Sequence, residues 1–332
     1  MAQDDDFGLL SYLDELMEDL HDNVPKALKE FDEDGIHDAR VATRRLKAVM
    51  GLLKEVLTDE HRKAFEKVLK KLRCRLGPLR DLDVMIGHLG KLESHATHGP
   101  AAIWLKAQLE SQRECEHAEA KDTLSSADTL AKLGAWWHVR EEVEEAKEAV
   151  NSLLAQSLHL QLDAFAERAQ GVGSQISGSN GQRSHQDPHE LRIAGKLLRY
   201  TLESAQAQGH ALRPVVLRQF KKMQESLGNW HDDVVLVECA MRTSLDCTLA
   251  YHDLPMQERI LNLSRFFLRR AARELSNFTK LWQKRGEEVS RTIRERFPLT
   301  TAVTESKTGP DPAGSDGTPA PAPVPPDVAS NA

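Results

Sequence analysis

Histidine, arginine and lysine recur at helical spacing early in the sequence. His37, Arg40, Arg44 and Lys47 follow one another at intervals of three or four residues. On a helix that turns about 100° per residue they share one stripe roughly 80° wide, and Leu46 falls on the opposite side. Arginine and lysine donate charge-assisted hydrogen bonds to phosphoryl and carboxylate oxygens. The stripe therefore predicts a helix with an apolar core face and an anion-binding face.

The same pattern returns in the second half of the chain. At an offset of 152 residues the corresponding positions are His189, Arg192, Lys196 and Arg199. A second block, residues 69–81, recurs as residues 220–232 at an offset of 151. Two blocks at nearly one offset indicate a duplicated helical unit.

Cations also recur in the helix that follows each stripe. The paired positions are Lys67 and Arg218, Lys70 and Lys221, Lys71 and Lys222, and Arg80 and His231. Like charges four residues apart, such as Arg40 and Arg44, destabilise a helix, whereas a solvated face normally mixes signs. We therefore interpret the recurring cations as an anion site, with a merely solvated basic face as the alternative. Arg265, Arg269, Arg270 and Arg273 have no paired copy and rank lower.

The elements that carry these stripes are predicted to be helices only. Helix formers dominate the composition, and nothing alternates with a period of two, which favours an all-α fold without a sheet. The apolar periodicity predicts helices over 8–30, 36–57, 59–76, 78–93, 100–121, 134–169, 188–208, 212–228, 231–248 and 255–296, the last of them broken.

Composition divides the chain into five segments. Residues 1–7 form an acidic N-terminal extension, and residues 171–187, rich in glycine and serine, form a flexible linker. Residues 299–332 form a disordered tail rich in proline and alanine. The helical halves are residues 8–170 and 188–298. The net charge of −7 is uneven: residues 1–35 carry −10, residues 299–332 carry −3, and the body between them carries +6. The body is therefore suited to a polyanion.

The chain resembles the conserved-histidine α-helical domain (CHAD) family over roughly residues 8–297. The first-half motifs that carry the resemblance are His37-x-x-Arg40-Val41-x-x-Arg44-Arg45-Leu46-Lys47 and Leu76-Gly77-x-Leu79-Arg80-Asp81. Their second-half counterparts are His189-x-Leu191-Arg192-Ile193-x-x-Lys196-x-Leu198-Arg199 and Leu227-Gly228-x-x-His231-Asp232. Position 197 is leucine where the family motif has arginine, so the second copy lacks a counterpart of Arg45.

The resemblance implies two pseudo-symmetric four-helix bundles that face one another. It also implies binding of inorganic polyphosphate along a basic groove at their junction, often at polyphosphate granules. The expected polyphosphate-binding residues are His37, Arg40, Arg44, Arg45, Lys47, Lys67, Lys70, Lys71, Arg80, His189, Arg192, Lys196, Arg199, Arg218, Lys221, Lys222 and His231. A bound phosphate would favour the protonated form of the two stripe histidines, so we expect binding to strengthen on acidification.

Other functions are less well supported by the sequence. Nucleic-acid binding would use the same cations, but readers of single strands interleave aromatic residues, and only Tyr200 ends a basic stripe. No P-loop, GxSxG, HExxH or paired CxxC motif occurs, so we expect no enzyme, no metal and no cofactor. A polyphosphate-metabolising enzyme or its accessory scaffold stays an alternative. The four cysteines form no CxxC, and no signal peptide or membrane span is evident, which predicts a cytoplasmic protein. Other granule proteins are expected partners.

Overall fold

Helices make up the regular structure of the chain. The computed structural model describes residues 7–177, 187–245, 249 and 252–299, and no strand occurs within these ranges. The all-α prediction is therefore confirmed. No helix within the same ranges is both long and apolar enough to cross a lipid bilayer.

The described helices are numbered here in chain order. They are α1 (Gly8–Pro25), continued by a π-helical turn (Lys26–Glu30), α2 (Glu33–Leu52), α3 (Asp59–Gly90), α4 (Gly99–Thr123), α5 (Ser126–Leu133), α6 (Trp136–Glu145), α7 (Val150–Ser177), α8 (Pro188–Ala207), α9 (Pro214–Ser244) and α10 (Leu254–Arg296).

The two helices that carry the basic stripes each begin at an aspartate cap. Asp32 precedes α2, and its carboxylate accepts a hydrogen bond from the backbone N–H of Gly35 at 2.7 Å. Asp187 precedes α8, and its carboxylate accepts from the N–H of His189 at 2.8 Å. An aspartate at this position satisfies a free N–H group of the first turn. Each stripe therefore starts within the first turns of a capped helix.

Several predicted helix boundaries are wrong. Residues 59–76 and 78–93 belong to one helix, α3, because Leu76, Leu79 and Leu82 continue its buried stripe across Pro78. The same holds for α9, which passes through Gly228, and for α10, which has no break. The predicted helix 134–169 is interrupted between α6 and α7.

The predicted linker at 171–187 is also partly wrong, because α7 continues to Ser177 and keeps Val172 buried in the core. Residues 178–186 lie outside the described residues. So do residues 1–6 of the predicted N-terminal extension and residues 300–332 of the predicted tail. Phe7 is buried against the core, whereas Leu299 is exposed.

Two clusters of buried apolar side chains form the core. The larger one includes Leu13, Leu46, Phe65, Phe165 and Phe278, and draws on helices from both halves of the sequence. The smaller one joins the later parts of α3 and α9 to α4 and to the first part of α10. Both clusters thus contain helices from either side of the predicted linker. The division into two pseudo-symmetric bundles stays a prediction.

Candidate functional site

The two basic stripes converge on one cleft. It has a volume of about 470 Å³ and is lined by side chains of α2, α8 and α9. Seven of the predicted residues line it: His37, Arg44, Arg45, Arg192, Lys196, Arg199 and Lys221. The first three come from the first copy of the repeat, and the others come from the second. The fold therefore brings cations from distant parts of the sequence to a single surface.

Three cations of the cleft form no ion pair with any carboxylate of the described residues. No described carboxylate oxygen lies within 4.0 Å of the charged nitrogens of Arg44, Arg192 or Lys196. The Nε atom of Arg192 is buried and has no hydrogen-bond partner among the described residues. A buried donor without a partner costs free energy, and a bound anion would remove that cost. These three side chains form the centre of the candidate site.

The surroundings of the cleft lower the pKa values of two of its cations, Lys196 and Arg192. Burial and the neighbouring Arg192 and Arg44 guanidiniums lower the pKa of Lys196 to about 7. Burial also lowers the pKa of Arg192, partly offset by the Asp232 carboxylate. Desolvation and like charges both destabilise a protonated amine, whereas a nearby anion stabilises it. The geometry and the pKa values therefore describe a site that is prepared for negative charge.

Two histidines at or beside the cleft, His37 and His231, have lowered pKa values. Burial and Arg192 lower the pKa of His231 to about 4, and its ring lies 5.1 Å from that of His189. Burial and Arg80 lower the pKa of His37. His231, which the repeat pairs with Arg80, is therefore uncharged near neutral pH. At that pH the His231 ring can form a hydrogen bond with a ligand, but it carries no positive charge.

Arg40 lies away from the cleft lining, between α2 and α3. Its Nη1 donates to the carbonyl oxygen of Arg73 at 3.3 Å, and its Nη2 lies 3.6 Å from an Asp81 carboxylate oxygen. The side chain is buried against Gly77, where a Cβ atom would lie 2.9 Å from Arg40 Nη1. Burial and Arg44 lower the pKa of Arg40 to about 10. The structure thus gives Arg40 a packing role between the two helices.

The remaining predicted cations do not line the cleft. Arg80 pairs with Glu33 at 3.0 Å. Those that are exposed elsewhere are Lys47, Lys67, Lys70, Lys71, Arg218 and Lys222. The arginines of α10 also lie outside the lining, and Arg270 pairs with the buried Asp233 at 3.3 Å.

The site also contains residues that were not predicted from the sequence. Tyr200 and Gln224 line the cleft. Glu203 accepts hydrogen bonds from the Nε atoms of Arg45 and Arg199. The repeat could not reveal Glu203, since the equivalent position in the first copy is Gly51. Its spacing of four residues from Arg199 was the available signal.

A second cavity differs from the cleft in its chemistry. It lies between α7 and α10, has a volume of about 760 Å³ and is lined largely by small and uncharged residues. Its charged lining residues are Glu287 and Arg294, and Arg294 already pairs with Asp163 at 2.6 Å. Although this cavity is larger, the convergence of unpaired cations favours the basic cleft as the functional site.

Comparison with known proteins gives both a family and a fold. A sequence model of the CHAD domain matches residues 11–240. The structure is similar to the crystal structure of the CHAD domain from the plant Ricinus communis, with a TM-score of 0.53, 20% identity, and coverage of 87% of this chain and 90% of that chain. It is also similar to PptA from Streptomyces chartreusis, with a TM-score of 0.51, 15% identity, and coverage of 83% and 98%. No curated protein matches the sequence significantly.

Proposed function

Because the chain belongs to the CHAD domain family, we propose that its basic cleft binds inorganic polyphosphate without cleaving it. Membership of this family associates the chain with polyphosphate and phosphate metabolism. The observation that carries the proposal is the convergence of both basic stripes on one cleft whose central cations have no described carboxylate partner. We place this activity in the cytoplasm, at polyphosphate granules and among their other proteins.

The chemistry of the cleft suits a chain of phosphoryl groups. Polyphosphate carries about one negative charge per unit and has no bases, so it is bound through charge and hydrogen bonds alone. Arg44 and Arg192 can each grip two phosphoryl oxygens with the planar guanidinium, while Lys196 acts as a point charge. Tyr200 is the one aromatic side chain in the cleft lining, apart from the His37 imidazole. A single-stranded nucleic acid would find few rings on which to stack its bases.

A ligand panel tests the proposal. Long-chain polyphosphate, tripolyphosphate, orthophosphate, ATP, single-stranded DNA and RNA are titrated at low and moderate salt. We expect tight binding for long-chain polyphosphate only, and a loss of affinity of roughly a hundredfold between about 50 and 200 mM salt, as for five phosphate contacts. Equal affinity for DNA and polyphosphate at matched salt would favour nucleic-acid binding instead.

Matched variants locate the binding site and test for catalysis. R192M/K196M removes two cations from the cleft, whereas K280M/K284M removes two exposed lysines of α10 that do not line it. We expect the first pair to abolish tight binding and the second to leave it unchanged. The length of the polyphosphate chain is followed on gels during incubation with the protein and Mg²⁺. Shortening of the chain would show an enzyme rather than a binding protein.

A further inference from the structure

One carboxylate joins the two basic helices behind the cleft. Glu203 of α8 accepts a hydrogen bond from Arg45 Nε at 2.9 Å and another from Arg199 Nε at 2.7 Å. Arg45 belongs to α2 and Arg199 to α8, and both line the cleft, whereas Glu203 does not. We infer that Glu203 is a positioning residue, which fixes two arginines from opposite halves of the chain so that their remaining donors serve the ligand. This inference rests on the proposed polyphosphate binding.

The atoms used by Glu203 leave the other donors of both arginines available. A guanidinium has five N–H donors, and Glu203 takes only the Nε–H of each. No described residue accepts a hydrogen bond from the Nη groups of Arg45 or Arg199. Each arginine is therefore held at the base of its guanidinium, with its outer edge free. That edge is the one that can grip two phosphoryl oxygens.

Partial burial distinguishes the contact between Glu203 and Arg45 from an exposed ion pair, whereas Arg199 is 44% exposed. The Glu203 side chain is 24% exposed and that of Arg45 is 27% exposed. Burial lowers the pKa of Arg45, but the Glu203 carboxylate, its hydrogen bond and the neighbouring Tyr12 and Tyr200 together outweigh burial, so the pKa is raised and the side chain stays charged. An arginine that is held in place before binding loses less conformational entropy when the ligand arrives. Glu203 therefore supplies preorganisation rather than a ligand contact.

Considered only as a negative charge, Glu203 is expected to weaken polyphosphate binding rather than to support it. A negative side chain beside a polyanion should weaken binding, so its neutralisation should strengthen binding. Glu225 provides the contrast, because it lines the cleft itself, is exposed, and lies 4.0 Å from Lys221. Glu225 pairs with no arginine among the described residues, and we expect it to act mainly through its charge. The two glutamates therefore distinguish positioning from simple repulsion.

The test compares E203Q, E203D and E225Q in titrations with long-chain polyphosphate. We expect E203Q to lose roughly tenfold in affinity, as when one charge-assisted contact is lost, and E225Q to gain a few-fold. E203D keeps the charge but shortens the side chain, so it cannot reach both Nε atoms, and we expect it to lose affinity as well. In the R45M/R199M background, E203Q should cause no further loss, because its effect acts through these arginines.

Three other outcomes would contradict the inference, and one of them would also contradict the proposed function. Unchanged or tighter binding by both E203Q and E203D would overturn the inference and leave only a repulsive charge. An equal loss from E203Q in the R45M/R199M background would overturn it too, because the effect would then come from the fold in general. If the unaltered protein binds no polyphosphate, the proposed function itself fails, and the inference fails with it.

Discussion

Arg40 and Arg192 occupy equivalent positions in the two copies of the repeat, yet their surroundings differ. Arg40 is buried against α3, donates to the carbonyl of Arg73 and pairs with Asp81. Arg192 lines the cleft, and its buried Nε has no described partner. The first copy thus uses its arginine to hold two helices together, while the arginine of the second copy lines the cleft that we propose as the binding site. A duplicated motif does not imply a duplicated role.

Small differences around the two arginines account for this divergence. Asp81 lies 3.6 Å from Arg40, whereas the basic side chain that lies within 4.0 Å of the equivalent Asp232 among the described residues is His88, at 3.7 Å. In the first copy Arg45 joins the cleft, whereas the equivalent Leu197 is exposed and cannot bind an anion. Each copy therefore contributes different members of the motif to the one cleft.

The largest expected effect comes from replacing each arginine with methionine. R192M should weaken polyphosphate binding roughly 10- to 100-fold, because a charge-assisted contact is worth about 1.5–3 kcal/mol, and should change the free energy of unfolding little. R40M should lower that free energy by about 2 kcal/mol, since it removes a buried hydrogen bond and an ion pair, and should affect binding less. Polyphosphate titration and urea unfolding measure the two effects. Equal binding losses in both variants would show that the two arginines share one role.

The pH dependence of binding sharpens the comparison, because only the second copy places a lysine at the centre of the cleft. The charges that act on Lys196 come from Arg192, Arg44, Asp232 and Arg40. With a pKa of about 7 in the free protein, Lys196 is already charged well below pH 7, so it adds no further pH dependence to binding there. Above pH 7 binding must recruit a proton, and affinity should fall by up to about tenfold per pH unit.

K196R is the control for this dependence. Arginine stays protonated throughout the range, so this variant should not show the decline in affinity between pH 7 and pH 9. The pKa of His231 is about 4, so its titration lies below the range. Calorimetry in buffers of different ionisation enthalpy measures the proton uptake directly. An identical decline in K196R and the unaltered protein would assign the dependence to another group.

The sequence predicted the helical fold and much of the cleft lining better than the contacts between helices. The helical fold and six of the seven predicted lining residues followed from periodicity and the repeat, because both depend on local spacing, whereas Arg45 followed from the family resemblance. The burial of Arg40 could not be predicted, since a helical wheel shows the face of a residue but not the approach of α3 at Gly77. Glu203 was missed because its contacts join α2 to α8 and its repeat equivalent is Gly51. The continuity of α3 through Pro78 depends on tertiary burial of its flanking leucines.

The smallest expected effect concerns the glycines that follow the shared leucine of each copy. A Cβ atom at Gly77 would lie 2.9 Å from Arg40 Nη1, whereas one at Gly228 would meet no atom within 4 Å. Alanine in a helix interior is favoured over glycine by roughly 0.5–1 kcal/mol, so G228A should stabilise the protein by about that amount. G77A should instead be destabilising, because Arg40 must give up its hydrogen bond to make room.

The R40M background separates these two contributions to the effect of G77A. Without the guanidinium, the flexible methionine side chain can move aside, and only the helix propensity of alanine remains. G77A should then stabilise the R40M protein by about as much as G228A stabilises the unaltered one, roughly 0.5–1 kcal/mol in urea unfolding. If G77A destabilises both backgrounds equally, the close approach of α3 itself, rather than Arg40, requires glycine. The contrast between the two copies would then lie in helix packing and not in the arginine.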